Sequence, residues 1–436
     1  MKERVVLLII ISFLIAFLIV FQNYFDTMWA IIFLIGFMSL YTLYMYVAAK
    51  YRKRKDKKNP PVLNYDFKPF ISVLIPCHNE QDVIEETALN VLNLNYKDFE
   101  IILIDDRSTD NTAKIIEKLS KRHKKINSLI RSKDAVAGKS AVLNDAFKIS
   151  KGEAILVLDA DAKIKPDFLD KMIVALAPAD VGAVQAQKII INSKQNFLTK
   201  CQYNEYILDT HFQMGRDAVR GAVELRGNGE LIKRQAIISI NGWNEETITD
   251  DLDMSTRLHI KGWDIRFCSD TKVYEEGVIS FTALIRQRRR WVEGSIRRYL
   301  EYMWDVFTSK DMSLRVGLDL IAYVTEFLLP FWLIAEIIIQ AFHFVKGYQN
   351  SILSSIIVVT ITGIFFTFGF IYSLRKIAKY DFIKSVWEAV ITSIYFITIW
   401  FPIAMLIIFK IIFTKKTMDW GKTVHGVSNA ASKEIN

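Results

Sequence analysis

The chain has 436 residues, of which 51% are hydrophobic and 24% charged, and a formal net charge of +9. That balance is too polar for a wholly membrane-embedded protein and too apolar for an ordinary cytosolic one, and the length allows one sizeable soluble domain plus further elements. The positive charge does not point to nucleic acid: much of it sits in clusters beside apolar segments, where anionic lipid headgroups are the natural partner, and no nucleic-acid-binding motif occurs.

Residues 5–21 (VVLLIIISFLIAFLIVF) and 28–49 carry almost no charge, and each is about long enough to cross a hydrocarbon core ~30 Å thick. They predict a helical hairpin. The first segment lacks a small-residue cleavage site and a second span follows closely, which favours a retained anchor over a secretory signal. The basic run KYRKRKDKK (50–58) belongs on the cytoplasmic side, and places the N-terminus and the chain beyond Lys58 there too. Three cysteines, Cys77, Cys201 and Cys268, are widely spaced without a CxxC pair, and read as reduced thiols in or near a core.

Between about Phe70 and Ser309 short β-rich runs alternate with helical patterns: ISVLIP at Ile71, EIILID at Glu100, SLIRS at Ser128 and AILVLD at Ala154. The alternation predicts an α/β domain of βαβ units around a mostly parallel sheet buried on both faces. Ligands of such sheets bind outside the carboxyl ends of the strands, so the residues that close each run are the candidates for chemistry.

The first constellation is ILIDDRSTDNTA, where Asp106 stands at the strand's carboxyl edge. Either the acids and hydroxyls cap the next helix, through Thr109 or Asp110, or Asp106 accepts a hydrogen bond from a nucleobase. The second is AILVLDADAKIKPDF: Asp159 and Asp161 flank Ala160 just past a strand, a spacing that suits a divalent cation whose shell is completed by phosphates and water. RGNGE (226–230) reads as a flexible loop able to approach a substrate closely.

The third is NEETITDDLDMSTRLHIKGW. Thr249 with Asp250, Asp251 and Asp253 can cap a helix and complement its dipole, but three acids repel, which predicts a raised pKa for at least one and hence a candidate general base. The fourth is RQRRRWVEGSIRR, whose arginines suit either lipid phosphates or a pyrophosphate clamped bidentately. AGKS (137–140) is not a phosphate loop, because Lys133 stands where the pattern needs its first glycine.

After Lys310 the chain turns apolar, with spans expected over 317–345, 351–374 and 389–413 and a mobile tail from about Val427. Arg375, Lys376 and Lys379 on one side of the last span and Lys415 and Lys416 on the other all ask to be cytoplasmic. That requires a re-entrant hairpin near Pro402 or an interfacial helix. The expected division is 1–58, an N-terminal hairpin with a basic cytoplasmic end; 59–310, the cytoplasmic α/β domain; 311–414, transmembrane or interfacial helices; and 415–436, a cytoplasmic tail.

In this order, PCHNE, DDRSTD, DAD, TDDLD and QRRRW resemble the membrane-integrated family 2 glycosyltransferases, over about Phe70 to Tyr302. The resemblance implies a GT-A (Rossmann-like) fold inserted between transmembrane helices of a multi-pass cell-membrane protein. It implies that Asp106 and the Asn79-Glu80 loop hold uridine, Asp159 the ribose side, and Asp161 a Mg2+ or Mn2+ ion on the diphosphate. Lys139, in GKSAVLN, would lie near the donor. Asp251 becomes the expected base, with Asp250 on the acceptor side. Gln287 and Arg290 would support the diphosphate and Trp291 would border the acceptor. The donor implied is a UDP-sugar, UDP-glucose first. The acceptor is either a membrane lipid such as diacylglycerol or a polymer extruded through the spans. ELRGNGE, NGWNEETITDDLD, EEGV and WGKTVHG (420–426) look more like the β-monoglucosyldiacylglycerol synthases than the polymer branch. A non-catalytic nucleotide-sugar-binding scaffold and a phosphotransferase remain as readings of another class.

Overall fold

The computed structural model describes residues 66–322 and 367–414 without interruption, together with 5–13, scattered positions between 16 and 58, and 345, 360 and 364. Most of the expected spans over 28–49, 317–345 and 351–374, and the tail 415–436 with WGKTVHG, lie outside the described residues.

The first four predicted strands are present. β1 (Ile71–Cys77), β2 (Phe99–Asp105) and β4 (Ala154–Val157) are buried at every position, as continuous apolar strands covered on both faces must be. β3 (Ile126–Ile130) departs from that expectation, since only Ile126 is buried. It is the edge of the sheet, where Asn127 and Ser128 meet solvent without cost.

Four further strands extend the sheet: β5 (Lys163–Ile164), β6 (Val181–Ile190), β7 (Glu230–Lys233) and β8 (Asp264–Glu275). The order is β3-β2-β1-β4-β7-β6-β8-β5. Pairing is parallel from β3 through β4 and between β6 and β8, and antiparallel at β4/β7, β6/β7 and β5/β8.

Alternate residues of the strands feed two cores, as a period of two requires. Val73, Ile101, Leu103 and Leu156 pack against α1 (Ile84–Leu92), α2 (Thr112–Arg122) and α4 (Phe168–Leu176). Leu74, Ile102, Ile155 and Val157 pack against α3 (Lys139–Ile149), α6 (Arg234–Ser239) and α7 (Asp250–Ile260). At the start of α2 it is Asp110, not Thr109, that accepts a first-turn amide, from Thr112 N at 2.9 Å.

Two long helices surround this sandwich, α5 (Phe197–Val219) and α8 (Phe281–Thr308). They meet the segment that leads into β7 through Glu224, which is buried and takes ion pairs from Arg216 of α5 at 3.2 Å, Arg226 at 2.8 Å and Arg298 of α8 at 2.8 Å. Burial alone would push this carboxyl up. The three guanidiniums outweigh it and hold Glu224 well below the ordinary carboxylate range.

The last helix runs from Phe382 to Phe413, 32 residues, and is long and apolar enough to cross a membrane. It comprises α9 (Phe382–Tyr395), a π-turn (Phe396–Trp400) and α10 (Phe401–Phe413). A re-entrant hairpin at Pro402 is therefore incorrect, because the chain passes through without reversing. Pro402 falls in the first turn of α10, immediately after the π-turn, where a missing amide costs least. The helix docks on α8 through Tyr395, Ile399, Ile403, Ile407 and Ile411 against Leu284, Val292 and Ile296, with Leu7 of the first apolar segment in the same cluster. Its charged groups are matched by the domain: Lys410 pairs with Glu293 at 2.7 Å, and Glu388 accepts from Asn204 at 2.7 Å.

Replacing Glu224 by Gln would take away the carboxylate that three arginines share, although Arg226 keeps Asp209 at 2.6 Å and Arg216 keeps Asp319 at 3.4 Å. Removing one partner of a buried ion pair costs about 3–5 kcal/mol, so Glu224→Gln should unfold at lower denaturant than wild type in detergent micelles. Unfolding curves that superimpose would remove Glu224 from this role.

Candidate active site

Lys139 opens α3 directly after Gly138, and its Nζ donates to Asp159 Oδ1 and to Gly227 O, both at 2.7 Å. Burial opposes the ammonium charge, but Asp159, Asp250 and Glu230 hold it protonated with a raised pKa. The backbone N of Asp159, just beyond β4, donates to Asn228 Oδ1 at 3.2 Å.

The glycine-rich turn is buried and hydrogen-bonded, which corrects the expectation of a flexible loop. Asn228 O accepts from Gln185 at 2.9 Å and Asn228 Nδ2 donates to Glu275 at 3.0 Å, while Gly227 N donates to Glu230. Gly227 and Gly229 have φ of +77° and +72°, and a Cβ at 229 would lie 2.7 Å from Val273 Cγ1. Only glycine permits that backbone in that space. The close approach expected of this segment is present, but toward the acids: a Cβ on Gly227 would stand 3.2 Å from Asp251 Oδ2.

Asp250 and Asp251 begin α7, and Asp251 Oδ1 accepts from Leu252 N at 2.8 Å. Burial and the neighbouring Asp250 push the Asp251 carboxyl up to about 6. Burial, Asp251 and Asp250 push Glu230 further, to about 8. Adjacent carboxyls cannot all ionise in a low dielectric, so Asp251 and Glu230 both hold protons more firmly than isolated carboxyls do. Asp253 is not part of this group. It points to the other side of α7, paired with Arg257 at 2.6 Å and accepting from Tyr302 at 2.8 Å. The hydroxyl of Thr249 does not cap the helix, for its Oγ1 has no hydrogen-bond partner.

Asp106 is fully buried, with Arg131 at 2.7 Å and Arg107 at 2.9 Å. Arg107 is the more exposed guanidinium, so a base edge reaching this carboxylate would displace Arg107 rather than Arg131. The neighbouring loop is tied to the same place: Asn79, at φ +57°, accepts from Thr109 N at 2.7 Å, and Glu80 N donates to Thr112 Oγ1 at 2.8 Å.

Asp161 accepts from Glu276 N at 3.3 Å at the end of β8. Asp161 itself offers carboxylate oxygen, the ligand chemistry that suits Mg2+ or Mn2+. Among the described residues no group of three or more His, Cys, Asp or Glu side chains is placed to hold an ion, so phosphate and water would supply the rest of a shell here. Lys188 of β6 brings a second cation, pairing with Glu275 at 3.0 Å and donating to Arg226 O at 3.1 Å. In the sequence Lys188 carries no motif, and Asn228, Glu230 and Glu275 stand out only as members of RGNGE and EEGV. The available signals were a lysine inside the apolar run VGAVQAQKII and an acid directly after GNG.

QRRRW lies in the early turns of α8, whose N-cap Ser280 accepts from Ala283 N at 3.3 Å. Gln287, Arg290 and Trp291 are half-buried, whereas Arg288 is fully buried. Three residues beyond Trp291, Gly294 lets α8 press onto the start of α7: a Cβ there would be 2.4 Å from Thr249 Cγ2. The motif's helix thus abuts the helix that carries Asp250 and Asp251.

The sequence profile described as glycosyltransferase-like family 2 matches residues 69–294. The chain belongs to this family. A β-monoglucosyldiacylglycerol synthase from a Nostoc species is 37% identical, over 82% of this chain and 76% of its own. One from a Synechocystis species is 31% identical over 93% and 85%. A poly-β-1,6-N-acetyl-D-glucosamine synthase from Staphylococcus aureus is 30% identical over 66% and 69%. A mannosyltransferase from Pyrobaculum calidifontis, solved in complex with GDP-Man and Mn2+, superposes with a TM-score of 0.57 at 18% identity, covering 83% of this chain and 99% of its own. That likeness shows the fold. This family 2 protein is a glycosyltransferase with a GT-A domain built on a mostly parallel sheet.

A carboxylate that titrates near neutrality is suited to taking a proton. Turnover by this glycosyltransferase should therefore rise with pH through about 6, as Asp251 ionises. Asp250→Asn, which removes a charge that raises Asp251, should move this limb to lower pH in a pH–rate profile. A limb that stays in place would exclude the coupling.

Proposed function

We propose that the protein transfers one hexosyl group from a UDP-sugar, UDP-glucose first, to the free hydroxyl of diacylglycerol, with inversion at the anomeric carbon. The observation that carries the chemistry is the Asp251 carboxylate of raised pKa, set against the buried glycine turn beside Lys139 and Asp159. The lipid acceptor is supported by the relatives named β-monoglucosyldiacylglycerol synthase, which match over 82% to 93% of this chain.

In this reading Asp106 and Glu80 border the uracil and Asp159 the ribose. Asp161 would hold a Mg2+ or Mn2+ ion, which when bound supplies positive charge to the diphosphate. Lys139, Gln287 and Arg290 lie along the same phosphates, and Trp291 and Asp250 border the acceptor. Asp251 takes the proton of the acceptor hydroxyl as its oxygen bonds to the anomeric carbon. The bond from that carbon to the β-phosphate oxygen breaks, and its electron pair leaves with UDP. Arg290, which has no hydrogen bond or ion pair among the described residues, is available to the charge that develops on the departing oxygen.

The catalytic domain would face the cytoplasm of a multi-pass cell-membrane protein, with the helix Phe382–Phe413 among its spans. A processive polymer synthase is the second reading, favoured by the Staphylococcus aureus relative.

The test incubates purified, lipid-reconstituted protein with labelled UDP-glucose, Mg2+ and diacylglycerol, followed by solvent partition. Organic-phase label that migrates as a monoglycosyl lipid is expected; label in an aqueous, size-heterogeneous product would establish the polymer reading instead. Asp251→Asn should lower transfer by about 10²- to 10⁴-fold, the usual worth of a general base. Full turnover by that variant would take the base role away from Asp251.

A further inference from the structure

The QRRRW motif contains one arginine that cannot touch a substrate. Arg288 is fully buried, between the motif and the apolar C-terminal helix. Its Nη2 donates to Glu205 Oε2 of α5 at 2.7 Å and its Nη1 to Gln287 Oε1 at 2.5 Å. The guanidinium lies 4.2 Å from the ring centre of Trp291 and 5.5 Å from that of Trp400. One side chain therefore holds both Gln287 and Trp291, the two ends of the motif.

Stability does not account for it. Its Nε is buried without a hydrogen-bond partner, and a buried ion pair is often no more stabilising than apolar groups of the same volume. What the guanidinium does supply is geometry, since its planar fork fixes two partners while its face stacks on a ring.

The apolar helix is shaped to meet it. Tyr395 donates to the same Glu205 Oε2 at 2.9 Å, and Trp400, five residues later, flanks Arg288. In an α-helix residues five apart point about 140° away from one another. The π-turn Phe396–Trp400, closed by Phe401 N donating to Phe396 O, winds more residues into the turn and brings the two side chains toward one side. An uninterrupted α-helix could not present both to the Arg288–Glu205 pair.

We propose that Arg288 is a positioning residue: locked by Glu205 and by the π-turn of the apolar helix, it sets Gln287 and Trp291 in the geometry that transfer requires. This rests on the reading of Gln287 and Trp291 as substrate-binding residues. The π-turn then makes sugar transfer depend on how the apolar helix is seated against α5 and α8.

The experiment compares wild type with the triple variant Glu205→Leu, Arg288→Met, Tyr395→Phe, which removes the charges and the bound hydroxyl together, and with Arg288→Lys, which keeps the charge but loses the fork and the flat stacking face. Each is measured by thermal unfolding in detergent and by release of nucleoside diphosphate at varied UDP-sugar. The triple variant should unfold close to wild type yet turn over about 100-fold more slowly, the effect expected of a roughly 1 Å displacement in a site. Arg288→Lys should fold and show a raised KM for the donor.

Wild-type turnover in a folded triple variant would overturn the proposal. If the triple variant fails to fold, wild-type kcat and KM in Arg288→Lys would overturn it equally. Product analysis of the wild type keeps the two claims apart. Absence of a glycolipid sinks the diacylglycerol reading, while the ratio of variant to wild-type diphosphate release still judges Arg288.

Discussion

The site depends on one ammonium group. Asp159, Asp250, Asp251 and Glu230 come from three different parts of the chain and would repel one another at the end of the sheet. Lys139 is the cation bonded directly among them, to Asp159 and to the carbonyl of Gly227, while Lys188 acts on Asp159 and Asp251 without bonding to them. The charge of Lys139 is opposed by burial and sustained by those acids. The compensation is incomplete: burial and mutual repulsion still push the Glu230 and Asp251 carboxyls up. The same excess of negative charge that would destabilise a closed core leaves one carboxylate poised to exchange a proton.

Holding these acids together requires helices from far along the chain to approach closely. Glu224 draws Arg216, Arg226 and Arg298 into one buried cluster, and so joins α5, the glycine turn and α8. Gly294 then allows α8 to contact Thr249 at the start of α7. Neither feature touches a reacting group, yet together they decide where Asp251 stands relative to QRRRW.

Much of the first half of the domain was legible in the sequence because β1, β2 and β4 are buried on both faces and so are written as unbroken apolar runs. β6 and β8 were not, since they bury polar groups that are satisfied only by distant partners: Gln185 bonds the glycine turn and Lys188 pairs with Glu275. The acids of TDDLD were legible as a repelling cluster, but not which would leave it. Asp253 is drawn off by Arg257 and Tyr302, and the partner that raises Glu230 lies about twenty residues away in sequence. RGNGE looked mobile because glycine permits motion; here it serves the opposite end, a tight turn that no other residue could form. Pro402 looked like a break, and the π-turn before it removed the need for one.

QRRRW stands between the candidate site and the apolar helix in this fold. Its helix continues from Gln287 to the apolar seam formed by Val292, Ile296 and Leu300 against Ile403 and Ile407. Glu293, two residues beyond Trp291, pairs with Lys410 of the apolar helix, and Arg288 lies against Trp400. A shift of the apolar helix would part Lys410 from Glu293 of α8 and Glu388 from Asn204 of α5, leaving poorly solvated charges without those partners. The seam therefore resists sliding, and any displacement that does occur is transmitted through Arg288 to Gln287 and Trp291. In the reading proposed above the motif binds substrate at this junction, and its alignment is set by the apolar helix.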